Sequence, residues 1–215
     1  MKNSFALAVL VTLIFSYSHI YSQGIFLEKG EVGVFGDGGY ASLESGNATS
    51  IGVGVAFGGV FEFGFSNTNS KIKLSKYGLG NEIDVNSKTA SFGVVLLKRK
   101  AQLEANLGFT TSDEGSDALK SSDAILLGFN VGSEFVLHEK LSWYPVFSFA
   151  VGIPTDEDSG NPVTALGLSA PILIAEHIYL GPTFALSEGN FSWGVTGGII
   201  ISFDIGSTGG WGNSN

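Results

Sequence analysis

Few residues in this 215-residue chain are equipped for chemistry. There is no cysteine, and Arg99 is the single arginine. Without a thiol, disulfides, thiolate nucleophiles and thiolate metal sites are all excluded. The three histidines are His19, near the N-terminus, and His138 and His177, which stand in short turn-like stretches (His138-Glu139-Lys140 and Ala175-Glu176-His177). Solvated turn histidines are the plain reading. Two such imidazoles are also too few for a transition-metal centre. Carboxylates cluster in two runs, one holding Asp113, Glu114 and Asp117 and the other Asp156, Glu157 and Asp158. Residues 155–160 have the look of a calcium loop's beginning. Position 167, where a closing bidentate glutamate belongs, is a glycine, so that reading fails. Neither cofactor nor metal is expected. Three further glutamates, Glu62, Glu104 and Glu134, lie three or four residues from turns and share an alternation parity with Tyr144 and Tyr179.

The elements that would position these residues show most clearly in residues 122–152. Ile125, Leu127, Phe129, Val131, Phe135 and Leu137 alternate with Leu126, Gly128, Asn130, Gly132 and Glu134. After the turn at residues 138–140, Leu141, Trp143, Pro145, Phe147, Phe149 and Val151 alternate with small or polar residues. Successive strand side chains point to opposite faces, so each strand has one bulky apolar side and one small or polar side. A soluble sheet would carry charges on its wet face, whereas this one carries Gly, Ser and Asn. The pattern suits a wall with lipid outside and a crowded polar interior.

The same alternation predicts ten strands, at residues 31–42, 51–57, 60–66, 89–99 and 101–110, the pair within 122–152, and 162–174, 178–186 and 191–203. Short turns, such as Gly58-Gly59, alternate with longer polar loops at 45–50, 67–88, 111–122, 153–161 and 187–190. Pro145, Pro171 and Pro182 fall inside strands, where each loses a ladder hydrogen bond. They leave eight strands as the alternative count. Residues 1–22 read as a secretory signal peptide, with Lys2 before an apolar run at 5–15 that is too short to span a bilayer. Residues 23–30 are a lead, residues 31–204 the barrel, and residues 205–215 a Gly/Ser/Asn-rich tail unable to bury a core. Cleavage removes only Lys2 from the charges, so ten basic residues (11 − 1) face twenty acidic ones, a net of −10. That acidity argues against nucleic acid.

This pattern over residues 31–203 resembles the small outer-membrane β-barrel proteins of Gram-negative bacteria. The resemblance implies an all-β fold, a closed antiparallel up-and-down transmembrane β-barrel, in the outer membrane after signal-peptide cleavage. It implies outer-membrane lipid, lipopolysaccharide and the barrel-assembly machinery as partners, and leaves any external ligand unspecified. Many such barrels end on an aromatic residue, but here Phe203 is followed by twelve more residues. Some are envelope enzymes that use a histidine with an acid or serine, and His138 and His177 sit at the wrong end for that. The expected role is therefore non-enzymatic, structural or surface-interacting, with a narrow or plugged lumen. A small-solute, porin-like channel is the alternative, and an envelope enzyme the third class.

Two groups of site residues follow. Aromatics at the two membrane interfaces would form girdles, with Phe61, Phe135, Trp143 and Phe203 near the periplasm and Phe65, Phe109, Phe149 and Trp193 near the outside. Strict alternation points Glu62, Glu104 and Glu134 into the lumen with Tyr144 and Tyr179, and Arg99 just below. A carboxylate in a narrow lumen is costly unless paired. The expectation is a polar plug in which Arg99, aided by Lys98 or Lys100, offsets the glutamates; wetting by lumen water is the alternative. The acidic runs at 113–117 and 156–158 should lie outside the cell. There divalent cations could bridge them to lipopolysaccharide phosphates, with plain solubilising charge as the alternative.

Overall fold

The computed structural model describes Leu27 and residues 31–73, 82–98, 101–114, 122–155 and 161–204. Its strands are β1 (Glu31–Leu43), β2 (Gly46–Phe57), β3 (Phe61–Lys73), β4 (Glu82–Lys98), β5 (Ala101–Glu114), β6 (Ser122–Ser133), β7 (Phe135–His138), β8 (Leu141–Trp143), β9 (Val146–Pro154), β10 (Val163–Ser169), β11 (Ile172–Ile174), β12 (Ile178–Ser187) and β13 (Asn190–Asp204). Every pairing is antiparallel. The sheet runs from β9 through β6 back to β1, across to β13 and β12, and the β10–β12 pairing closes the circle. Because β6/β7, β8/β9 and β10/β11 are broken passes, the 13 segments make a closed barrel of 10 passes. Closure removes the strand edges that a bilayer cannot satisfy.

Burial is inverted relative to a soluble protein. Ile51 (65% exposed), Val53, Phe63, Phe65, Phe129 and Ile199 face outward, while Asp37, Glu62, Gln102, Glu104, Asn106 and Asn130 are buried within. On the outer face Phe61 stacks on Phe92 at 6.2 Å and Phe63 lies 4.9 Å from the same ring. So large an apolar exterior around a polar interior requires lipid as the outer solvent. Among the described residues no helix is long and apolar enough to cross a membrane.

Several strand ends differ from expectation. The loop expected at 45–50 is strand from Gly46, the one at 67–88 narrows as β3 runs to Lys73 and β4 starts at Glu82, and the one at 111–122 narrows as β5 reaches Glu114. These extensions are polar on the outer face, and their apolar residues Ile72, Ile83 and Val85 point inward, reversing the apolar-out phase of the wall, yet the backbone ladder continues unbroken through Thr49↔Asn69 and Asn69↔Asn86. Pro145 and Pro171 shorten strands as expected, sitting in the breaks of the β8/β9 and β10/β11 passes, whereas Pro182 lies within an unbroken β12 in regular register. Three surviving bonds stitch the broken line together, from Ser133 N to Pro145 O (3.2 Å), Tyr144 N to Pro171 O (2.9 Å) and Ala170 N to Pro182 O (3.1 Å). The signal peptide at 1–22, the tail at 205–215, Arg99, Lys100, Asp117, Asp156, Glu157 and Asp158 lie outside the described residues.

Candidate functional site: the barrel lumen

Glycine on the inner face of one strand makes room for a large side chain from another. A Cβ on Gly54 would meet the ring of Phe35 and the carbonyl of Phe63. One on Gly132 would stand 2.7 Å from Tyr144, and one on Gly198 2.6 Å from the Tyr179 hydroxyl. At Gly93 it would meet Glu104 Oε1 at 2.5 Å and Asn106 Oδ1 at 2.7 Å. Protein interiors reject such distances, so the glycines are slots and the bulky chains fill them. Beside Phe35 and Asp37 a void of about 10 Å³ remains, about the room one water needs.

The polar groups in this filled interior bond across strands. Asn130 Nδ2 donates to Glu104 Oε2 at 3.1 Å. Tyr144 reaches Gln102 Oε1 at 3.4 Å, and Tyr179 reaches Asp37 Oδ2 at 3.3 Å. Hydroxyl pairs Thr89–Thr110 (3.0 Å) and Ser87–Ser112 (2.9 Å) continue the ladder toward the long-loop end. An apolar cluster of Leu27, Phe35, Ala56, Leu173, Tyr179 and Ile200 packs inside the barrel. Leu27 comes from the lead before β1. It is 1% exposed, and a Cβ on Gly33 would lie 2.8 Å from its methyl group, so the lead inserts a side chain into the lumen.

The expected lumen residues Glu62, Glu104, Tyr144 and Tyr179 are all buried, at 6% exposure or less. Glu134 is not among them. The strand breaks at Glu134, alternation ends there, and the residue is exposed. The Arg99 pairing falls outside the described residues. Asp37, Gln102, Asn106 and Phe35 also belong to the lumen and were not singled out from sequence. Their signal was inward parity opposite Val34 and Leu103, hidden at Asp37 by the surrounding glycines. All eight girdle aromatics, Phe61, Phe65, Phe109, Phe135, Trp143, Phe149, Trp193 and Phe203, are exposed on the outer face. Asp113 lies not in a loop but exposed on β5, and Glu114 ends that strand. His138 and His177 are exposed at the short-turn end, away from the buried carboxylates. No group of three or more His, Cys, Asp or Glu able to hold a metal occurs among the described residues.

A closed circle of strands, apolar outside and filled with small, polar and slotted aromatic side chains inside, defines a transmembrane β-barrel. The chain matches no protein-family profile and no curated protein sequence. Among solved structures it is similar to a bacterial polysaccharide outer-membrane secretin (15% identity, 74% of this chain, TM-score 0.47), spanning 57% of that chain's length. It is also similar to the β domain of the Bordetella autotransporter BrkA (12% identity, 80% of this chain and 98% of that one, TM-score 0.45). A third is Neisserial surface protein A (14% identity, 81% and 100%, TM-score 0.38). These are likenesses of shape between distant chains. The class itself follows from the closure of this barrel and the composition of its outer face.

Proposed function

We propose that this protein is an outer-membrane barrel with a structural or surface-interaction role and a lumen closed to solutes, working without catalysis. Lipopolysaccharide and the barrel-assembly machinery are its partners in this reading. One observation carries it: Leu27 is seated on Gly33 and packed with Phe35, Tyr179 and Ile200, so that apolar side chains occupy the lumen at that level. The short-turn end faces the periplasm, because short turns and both termini belong there in such barrels.

Planar-bilayer recording tests the reading. The wild-type barrel should give no conductance steps, and a Leu27→Ala/Phe35→Ala variant should give them. Steady single-channel steps from wild-type protein would overturn the closed lumen and favour the small-solute channel. Hydrolysis of an envelope lipid that depends on a lumen carboxylate would overturn the non-catalytic role.

A further inference from the structure

The outer face of β2–β6 changes character along a sharp line. One cross-strand row reads Val53, Phe65, Ala90, Phe109, Ile125. The next row toward the long-loop end reads Ile51, Asn67, Lys88, Thr111, Asp123, and the one beyond reads Thr49, Asn69, Asn86, Asp113. Lys71 and Asp84 pair in the row above, 3.9 Å apart. These residues have the outward parity of Phe65 and Phe109, so they stand outside the wall rather than in the lumen. The opposite wall has no such apron. On β12 and β13 the outward residues are still Leu186, Phe191 and Trp193 beside the turn, each 47–51% exposed.

We infer that this apron binds the phosphorylated sugar headgroup of a glycolipid in the surrounding outer leaflet. The inference rests on the outer-membrane reading above and names a surface partner for it. Its position argues for a lipid occupant, because the apron continues the apolar belt without a gap. Lys88 stands two residues from the belt position Ala90 toward the long-loop end, roughly 7 Å along the strand, where a lysine stem lies on lipid and its ammonium reaches head-group phosphates. Lys88 is exposed, and its side chain makes no hydrogen bond or ion pair among the described residues. Beside it, Asn67 Oδ1 is shielded from solvent and lacks a hydrogen bond among the described residues.

The next row supplies contacts to hydroxyl groups. Asn86 Nδ2 donates to Asn69 Oδ1 at 2.6 Å, which fixes both amides and leaves each with further hydrogen-bonding capacity for a sugar diol. Thr49, Asn69, Lys71, Asp84, Asn86 and Asp113 line an open recess of about 530 Å³. A purely anionic lipid would use Lys88 alone and gain nothing from the amide row. A phosphorylated saccharide would use both.

The test is retention of rough-type lipopolysaccharide by the folded full-length barrel in detergent, read by native mass spectrometry. Phosphatidylglycerol and a soluble glucosamine phosphate serve as comparison probes. Lys88→Glu and Asn86→Ala should each weaken lipopolysaccharide retention about tenfold, the usual loss for a charge-assisted or well-placed hydrogen bond. Lys140→Glu, at the short-turn end, should leave it unchanged. Each variant's folded fraction is read from its heat-dependent gel mobility. Folded variants that retain lipopolysaccharide as wild type does would overturn the inference. Equal retention of phosphatidylglycerol would reduce the apron to a generic anionic contact, and binding of the soluble sugar phosphate alone would make its ligand a free saccharide; either outcome overturns it. A barrel that conducts but loses lipopolysaccharide in Lys88→Glu would refute the closed lumen and leave the apron standing.

Discussion

At the scale of single residues, the lumen is organised by pairs of one glycine and one large side chain. Tyr144 over Gly132 is the clearest, because the atoms crowding a Cβ on Gly132 include the Tyr144 ring at 2.7 Å and a Val146 methyl at 3.1 Å, both side-chain atoms. Such neighbours can be removed by mutation without touching the backbone. Gly132→Ala should therefore destabilise the barrel by about 1–3 kcal/mol, the usual cost of overpacking, and Tyr144→Ser should recover a large part of it. Urea unfolding of the four members of the double-mutant cycle in lipid vesicles measures this. Additive effects would show that the slot is not shared. Parity alone pointed Tyr144 and Tyr179 inward, but nothing in the linear order matched either ring to its glycine. Gly198 lies nineteen positions from Tyr179, and the two meet only through the β12–β13 register.

At the scale of elements, turns and broken passes set the geometry. Gly58 and Gly59 have φ of 59° and 62°, the left-handed pair of a tight hairpin that glycine adopts without penalty. The β11–β12 turn makes the same demand of Ala175 (51°) and Glu176 (64°), where a Cβ is disfavoured. Replacing the pair by Asn-Gly should stabilise the barrel by about 1 kcal/mol, seen as a higher urea midpoint with an unchanged slope. A lowered midpoint would mean that these side chains make contacts worth more than the backbone strain. In the polar strand ends the apolar-out alternation stops, because Ile72, Ile83 and Val85 take the inward parity, and that loss of the wall's pattern is why the sequence reads as loop there. Ladder bonds hold them in strand form, and whether a polar segment finds a partner is decided by the neighbouring chain segment.

At the scale of the whole molecule, the wall has a lipid side and a lumen side. Leu127 is 40% exposed on the outer face of β6, and Asn130 is 3% exposed on the inner face of the same strand. Arginine at mid-membrane on the lipid face costs about 2–4 kcal/mol. An arginine at position 130 would instead stand beside Glu104, which Asn130 already contacts. Leu127→Arg should cut folded yield in lipid vesicles far more than Asn130→Arg, measured as the fraction with heat-dependent mobility. Equal losses would mean that the faces are assigned the wrong way round.

Sequence alone determined the period of two, the even number of passes, the outward aromatics and the inward parity of Glu62 and Glu104. Each of these depends only on which residues neighbour one another along a strand. Tertiary structure decided what fills the barrel. Leu27 enters from the lead, Phe35 covers Gly54 on the next strand, and Asp37 meets Tyr179 from 142 residues away. The sequence placed Glu134 inside by extending alternation through a point where the strand breaks. The apron too exists only in three dimensions. Asn69, Asn86 and Asp113 come from three different passes, and only the register that closes the barrel brings them into one row.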